Sequence, residues 1–346
     1  MKKFWCEISL EKLQNNLDII RKNTEGKVMA VVKGNAYGLG IEGITEFLKD
    51  KVDYFAVSDL SEVERVQGDK EILLLSPLVD KEDFKDPREN LIYTIDNEDV
   101  LEYIDKDLNY KVHLYIDTGM NRMGIKTEEL DKIFKRIKEE FHNITVDGVY
   151  THLHNTKNRK ATLKQIKIFK EAVSKYIGII PHIHCLNSSG FLNEEYRKCC
   201  DFTNITRVGN ILYGYDGQIM GLKKIFCYKA HIINTYKVKK GQRIGYGSTY
   251  KAKKDITLGI LGFGNIEHFG FNKDVKHNIF YDLLKVVYNH LVKRPVIFSE
   301  GKGVEIIGKP NMNITIINAE GIDKNKELKI DITPILADSS IQKKYI

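Results

Sequence analysis

No stretch of about 18 apolar residues occurs in the chain, so a membrane-spanning helix is not expected. Cysteine is scarce and irregularly spaced. Cys6, Cys185, Cys199, Cys200 and Cys227 give neither a zinc pattern nor a disulfide framework, and they fit a reducing cytoplasm. The excess of positive charge is modest, +7 over 346 residues. Lysines and acids are interspersed, and there is no basic stripe with interleaved aromatics, so nucleic-acid binding is not expected. A basic surface still attracts anionic small molecules. The start, Met1-Lys2-Lys3-Phe4-Trp5, lacks the apolar core and small-residue cleavage site of a signal peptide, and a cytoplasmic location is expected.

The composition, 42% hydrophobic and 29% charged, is that of an ordinary globular protein. Its length suits a large barrel plus a second domain. Eight short apolar runs punctuate the first two-thirds: 28–32, 54–57, 72–75, 92–95, 112–116, 146–150, 182–186 and 205–208. Amphipathic segments such as Leu10 to Arg21 and Glu128 to Glu140 lie between them. The alternation predicts an α/β fold, a (β/α)8 TIM-type barrel over residues 1–222, with its chemistry at the C-terminal ends of the strands. Residues 223–346 change texture to alternating Val, Ile, Thr and Tyr with glycine turns, which predicts a mainly β domain. A helical stripe near 275–292, with Ile279, Phe280, Leu283, Leu284, Val287 and Leu291 at three- and four-residue spacing, interrupts it. That stripe reads as a packing helix, with a partner-binding or lid role as the alternative.

Lys33 closes the first apolar run and opens Lys33-Gly34-Asn35-Ala36-Tyr37-Gly38. An amine at the mouth of a buried strand is partly desolvated, which favours its neutral, nucleophilic form. Gly34 and Gly38 allow a sharp turn and the close approach of a bulky group. The other candidates also fall at strand ends. Asp117 to Gly124 follows the fifth run, Thr151-His152-Leu153-His154 the sixth, Asn187-Ser188-Ser189-Gly190 the seventh and Arg207-Val208-Gly209-Asn210 the eighth. The last two loops offer a serine hydroxyl and glycine amides, donors suited to a phosphate.

Ala30 to Gly38 closely resembles the pyridoxal-phosphate (PLP) lysine motif of alanine racemases, and further matches run colinearly from residue 5 to about 260. The resemblance implies Lys33 as the Schiff-base lysine and as one catalytic base. It implies Tyr246, within Ile244-Gly245-Tyr246-Gly247-Ser248-Thr249-Tyr250, as the second base, supplied by the partner of a homodimer with shared sites. Arg122 would contact the cofactor's phenolic oxygen and the substrate, His152 would pack on the pyridine ring, and Arg207 would face the ring nitrogen. Tyr37, Asn187, Ser188, Gly209 and Asn210 would cradle the phosphate, while Met312 and Asn313 would line the substrate's place. A tyrosine with a pKa near 10 is a poor base at neutral pH, so nearby cations must assist it.

The chain departs from the family pattern around the substrate entrance. Gly264-Asn265-Ile266-Glu267-His268 stands where the family has Gly-Tyr-Ala-Asp-Gly. Asn311-Met312-Asn313 replaces Cys-Met-Asp, Tyr115 replaces a lysine, and Thr333 aligns with a gate tyrosine. The resemblance implies a PLP-dependent amino-acid racemase acting on alanine or another small or polar amino acid. The alternatives are a non-catalytic PLP-binding or regulatory protein, or another PLP reaction on the same scaffold.

Overall fold

The computed structural model describes residues 3–215, 219–270, 278–291 and 294–346, with the backbone alone for 289–291. Two compact units emerge, Leu10–Ile225 and a second made of Met1–Ser9 with Phe226–Ile346.

The first unit is the expected barrel. Its eight parallel strands are Lys27–Val31, Tyr54–Val57, Glu71–Leu74, Leu91–Ile95, Tyr110–Asp117, Ile144–Tyr150, His182–His184 and Ile205–Val208. Hydrogen-bonded pairing runs in chain order and returns from the eighth strand to the first, Arg207 opposite Met29. Between the seventh and eighth strands the backbone bonds Asn204 N to Ile183 O (2.9 Å) and Arg207 N to Leu186 O (3.1 Å) complete the ring. The strands read as continuous apolar runs because both faces of each are covered.

Outside the barrel, Leu10–Lys22 buries Leu13, Asn16, Leu17 and Ile20. The Asn16 amide donates to Leu212 O (3.0 Å) and Lys223 O (2.8 Å), which fastens this first helix to the end of the barrel. Longer helices, Leu130–Glu140 and Arg159–Val173, follow the fifth and sixth strands, whereas the third and fourth are followed only by the 3-10 turns Lys81–Phe84 and Asp99–Tyr103.

The second unit is mainly β. A six-stranded sheet contains Phe4–Ile8 between Phe226–Ala230, which is antiparallel to it, and Gln342–Tyr345, which is parallel. Phe4–Ile8 therefore joins this unit, whereas the sequence pattern assigns all of 1–222 to the barrel. Trp5, Cys6 and Ile8 are buried there, so apolar burial explains why the segment pairs at long range. A three-stranded sheet, Ile232–Val238, Ile256–Leu261 and Thr315–Asn318, encloses a small core of Ile244, Ile256, Leu258, Ile307 and Ile316.

The helix expected near 275–292 is present as Ile279–Leu291, and residues 275–277 and 292 lie outside the described residues. Among the described residues its stripe is left largely exposed: Ile279, Phe280, Leu283, Leu284 and Val287 are 48% to 77% exposed. Among the described residues, no helix is long and apolar enough to cross a membrane.

Candidate active site

Lys33 sits at the C-terminal mouth of the first barrel strand, on a backbone that then turns left-handed. Gly34, Asn35, Ala36 and Tyr37 all have φ between 52° and 62°. A left-handed turn of non-glycine residues costs about 1–2 kcal/mol per residue and persists only where its surroundings enforce it. Here Ala36 N bonds Val32 O (2.7 Å), Gly38 N bonds Gly34 O (2.9 Å) and Gly40 N bonds Asn35 O (3.0 Å). Asn35 is held further by its side chain, whose Oδ1 accepts from Ile41 N (3.0 Å) and from the Arg65 guanidinium (2.7 Å). The turn leaves the Lys33 amine half-buried. Burial lowers its pKa, the charges of Arg122 and Arg207 lower it further, and Glu62 partly offsets them.

The loop after the fifth strand is organised by Asp117. One carboxylate oxygen accepts from the backbone N–H groups of Gly119, Met120 and Asn121, each at 3.0 Å, and the other pairs with Lys126 at 2.6 Å. Burial alone would raise the Asp117 pKa, but Lys126 and the loop amides hold it below the usual carboxylate range. Gly124 packs so closely that a Cβ there would lie 2.8 Å from Asp117 N. This loop presents Arg122, which is exposed.

After the sixth strand, burial, then the charges of Arg207, Arg122 and Lys33, push the His152 pKa down to about 3, so the ring is neutral. His154 points elsewhere. It is exposed and its Nδ1 lies 2.6 Å from Gln165 Oε1.

The loops after the seventh and eighth strands are hydrogen-bonded to each other, Gly209 N donating to Ser188 Oγ at 2.9 Å. Asn187 caps its own short turn through Gly190 N (2.9 Å), and its amide donates to Leu153 O (3.0 Å) and lies 3.4 Å from His152 Nε2. Tyr37 closes this side: a Cβ on Gly209 would lie 2.5 Å from the Tyr37 hydroxyl. Asn210 is half-buried and starts the turn Asn210–Tyr213. Arg207 is wholly buried, with its guanidinium donating to His184 Nδ1 (2.6 Å) and Thr151 O (2.6 Å). The barrel thus gathers Lys33, Tyr37, Arg122, His152, Asn187, Ser188, Arg207, Gly209 and Asn210 at one end.

In the second unit, Tyr246 is 91% exposed and stands between Gly245 and Gly247, both left-handed. Met312 and Asn313 are exposed as well. The two segments that depart most from the family pattern touch each other. Asn265 N donates to Asn311 O (2.9 Å) and Ile266 N to Met312 O (2.8 Å).

Further aromatic residues line the inside of the barrel below these loops. Tyr150 stacks on His184 with ring centroids 4.9 Å apart and planes 9° from parallel, and the Arg207 guanidinium lies 5.0 Å from the Tyr150 centroid. Tyr115 stacks on Tyr150 in turn, at 4.8 Å. The alternation in His182-Ile183-His184 and in Val112-His113-Leu114 marks inward-facing polar positions, but only the closed barrel brings them together.

Comparison with known proteins agrees with this geometry. Residues 8–217 match the model of the alanine racemase N-terminal domain, and residues 225–339 match that of the alanine racemase C-terminal domain. Alanine racemase 2 of Clostridium acetobutylicum is 35% identical over 282 residues, covering 75% of this chain and 70% of the relative. The alanine racemase of Borreliella burgdorferi is 31% identical over 342 residues, covering 93% and 85%. Among solved structures, the alanine racemase of Clostridium difficile 630 superposes with a TM-score of 0.82 at 22% identity, covering 100% of this chain and 96% of that one, which shows the shared fold. Two domain models end to end and relatives above 30% identity over most of the chain show that it belongs to the alanine racemase family.

Proposed function

We propose that this chain is a PLP-dependent racemase that interconverts the enantiomers of a small amino acid, alanine by the names of its relatives. The observation that carries the reading is Lys33, a half-buried amine made less basic by burial and two arginines, on a turn the surroundings force.

The residues present fit the cofactor. Gly209 lets the backbone approach the Tyr37 hydroxyl, which a Cβ there would meet at 2.5 Å, and its N–H holds the Ser188 hydroxyl, so two hydroxyls and a glycine backbone, groups suited to a phosphate, gather after the seventh and eighth strands. Asn187 and Asn210 adjoin Ser188 and Gly209 in the chain. His152, neutral and half-buried, suits packing on an aromatic ring. Arg207, buried and committed to His184 and Thr151, suits a fixed cation beside the ring nitrogen.

Bound PLP supplies the electron sink that acidifies the substrate's α-proton. Lys33 Nζ takes or returns that proton on one side of the α-carbon, which its lowered pKa favours. Tyr246 Oη serves the opposite side and comes from a second copy of the chain in a homodimer. Its exposure of 91% supports a role outside its own subunit. Arg122 would hold the cofactor's phenolic oxygen and the substrate carboxylate. Arg207, a buried cation, would disfavour protonation of the ring nitrogen, which would weaken the electron sink and limit side reactions. Met312 and Asn313 border the substrate. A protein that merely carried PLP would need no second base, and the named relatives are racemases.

The test is proton exchange in heavy water with PLP-loaded protein and a panel of L- and D-amino acids. Exchange of the α-proton from both enantiomers of alanine is expected. Tyr246→Phe should leave it one-sided or abolish it, and Lys33→Ala should remove the visible absorbance of lysine-bound cofactor. Unchanged two-sided exchange in Tyr246→Phe overturns the two-base assignment, and turnover of a larger amino acid with none of alanine overturns the substrate.

A further inference from the structure

Four side chains form one hydrogen-bonded line through the barrel interior. Arg207 Nη1 lies 2.6 Å from His184 Nδ1. His184 Nε2 lies 2.9 Å from His113 Nδ1. His113 Nε2 lies 3.2 Å from Asp147 Oδ2. Both histidines are buried, and burial, the largest cause in each case, lowers their pKa values, so both rings are neutral.

The ends of the line fix its direction. A guanidinium can only donate and a carboxylate can only accept. His184 Nδ1 must therefore accept, which puts its proton on Nε2. That proton points at His113 Nδ1, which must accept in turn, and His113 Nε2–H then donates to Asp147. The reversed arrangement would place a proton on His184 Nδ1, facing the Arg207 N–H donor head-on.

The local backbone is built around this contact. Strand pairing passes from Val112 opposite Val146 directly to His113 opposite Gly148, so Asp147 is the extra residue of a β-bulge. Bulges are rare between parallel strands and re-aim a side chain. A Cβ on Gly148 would lie 2.5 Å from His113 Nε2, so the bulge and the glycine together admit the ring. Tyr150 clamps His184 by stacking and is itself held through Thr94 Oγ1 at 3.0 Å. His182 and Lys111 also face Asp147, and Glu71 pairs with Lys111. Among the described residues Arg207 has no carboxylate within ion-pair distance. The line leads its charge to Asp147.

We propose that Asp147 is a positioning residue for Arg207: through His113 and His184 it fixes which ring nitrogens carry protons, so that Arg207 always meets an acceptor. This rests on the reading that Arg207 stands beside the cofactor ring. Without Asp147 the two imidazoles can reverse, and Arg207 loses its inner anchor.

The experiment is 15N NMR of the histidine side chains in the PLP-loaded, full-length protein, alongside the visible spectrum of the bound cofactor. In the wild type, His113 and His184 should both be Nε2–H tautomers. Asp147→Leu should cut that preference about tenfold, the scale of one charge-assisted hydrogen bond. Asp147→Asn keeps an acceptor oxygen and should restore it. If Asp147→Leu does not fold, the wild-type spectrum still decides, because His184 protonated on Nδ1 overturns the proposal. Wild-type tautomers persisting in a folded Asp147→Leu protein overturn it too. Altered tautomers with an unchanged cofactor spectrum uphold the hydrogen-bonded line and overturn instead the placing of Arg207 at the ring.

Discussion

The Glu62 carboxylate accepts the backbone N–H of Asn35 at 2.8 Å, and this bond ties down the left-handed turn that carries Lys33. Its other oxygen accepts from Ser58 N (3.1 Å) and Ser58 Oγ (3.3 Å). Glu62 is buried and is the one acid that opposes the lowering of the Lys33 pKa. The residue therefore acts twice, as a brace and as a negative charge. In Glu62→Gln the shape persists and the charge is lost. Removing a negative charge disfavours the ammonium form, so the Lys33 pKa should fall further. The pH midpoint for acylation of Lys33 in PLP-free protein, followed by mass spectrometry, should move down, and stability should drop by about 1–3 kcal/mol. A midpoint that moves up would contradict the electrostatic part.

That turn also marks the limit of what the sequence discloses. The eight strands are legible because a strand covered on both faces must be apolar along its whole length, and each run in 28–208 found its strand within a few residues. Lys33, Arg122, His152 and Arg207 are legible because chemistry in a barrel sits at strand ends and these side chains interrupt apolar texture there. The left-handed path is not, since Ala36 and Tyr37 individually disfavour it and two of the groups that hold it, Glu62 and Arg65, are distant in sequence. The Asp147–His113–His184–Arg207 line is invisible for a similar reason: its members come from four strands, and a bulge sets one of them. The pairing of Phe4–Ile8 with Phe226–Ala230 is likewise a long-range choice that no local pattern announces.

The closeness of Gly209 to Tyr37 predicts a steric effect on cofactor binding. A methyl group on Gly209 would lie 2.5 Å from the Tyr37 hydroxyl and 2.9 Å from the carbon bearing it. Tyr37 cannot easily retreat, because its ring packs against Tyr213 (5.3 Å) and Tyr215 (6.1 Å). Gly209→Ala should weaken PLP binding about tenfold or more, equivalent to about 1.4 kcal/mol. A fluorescence titration of PLP-free protein measures it.

Acid should destabilise this protein before its carboxylates titrate. Burial lowers the pKa values of His113, His182 and His184, and that of His152 down to about 3, against about 6.5 in an unfolded chain. Below about pH 6.5 the unfolded chain binds protons that the folded one refuses, so stability is complete above that pH and falls as pH drops towards 3. Each such group adds a slope of up to about 1.4 kcal/mol per pH unit. Urea midpoints should fall clearly between pH 7 and pH 5. His152→Asn should flatten that slope, and an unchanged slope would place the acid sensitivity on the other three rings.

The two segments that depart from the family pattern, 264–268 and 311–313, should behave as one element. A Cβ on Gly264 would lie 2.2 Å from Asn311 O and 2.9 Å from Met312 O. Both contacts are backbone, which cannot swing aside as a flexible side chain would. The same strip carries the bonds from Asn265 N to Asn311 O and from Ile266 N to Met312 O, so a methyl group at 264 must force them apart. Losing two such bonds costs about 1–3 kcal/mol. Gly264→Ala should therefore lower the melting temperature by a few degrees, roughly 1.4 °C per kcal/mol for a chain of this length. It should also displace Met312 and Asn313, raising KM for the amino acid. The residues proposed to hold PLP all belong to the barrel unit, whereas Gly264, Asn311 and Met312 belong to the second unit, so the affinity for PLP should stay as it is. An equal loss of cofactor affinity would show that 264–266 and 311–313 do not form a substrate-specific element, and would remove the physical ground for tracing substrate choice to Asn265 and Asn313.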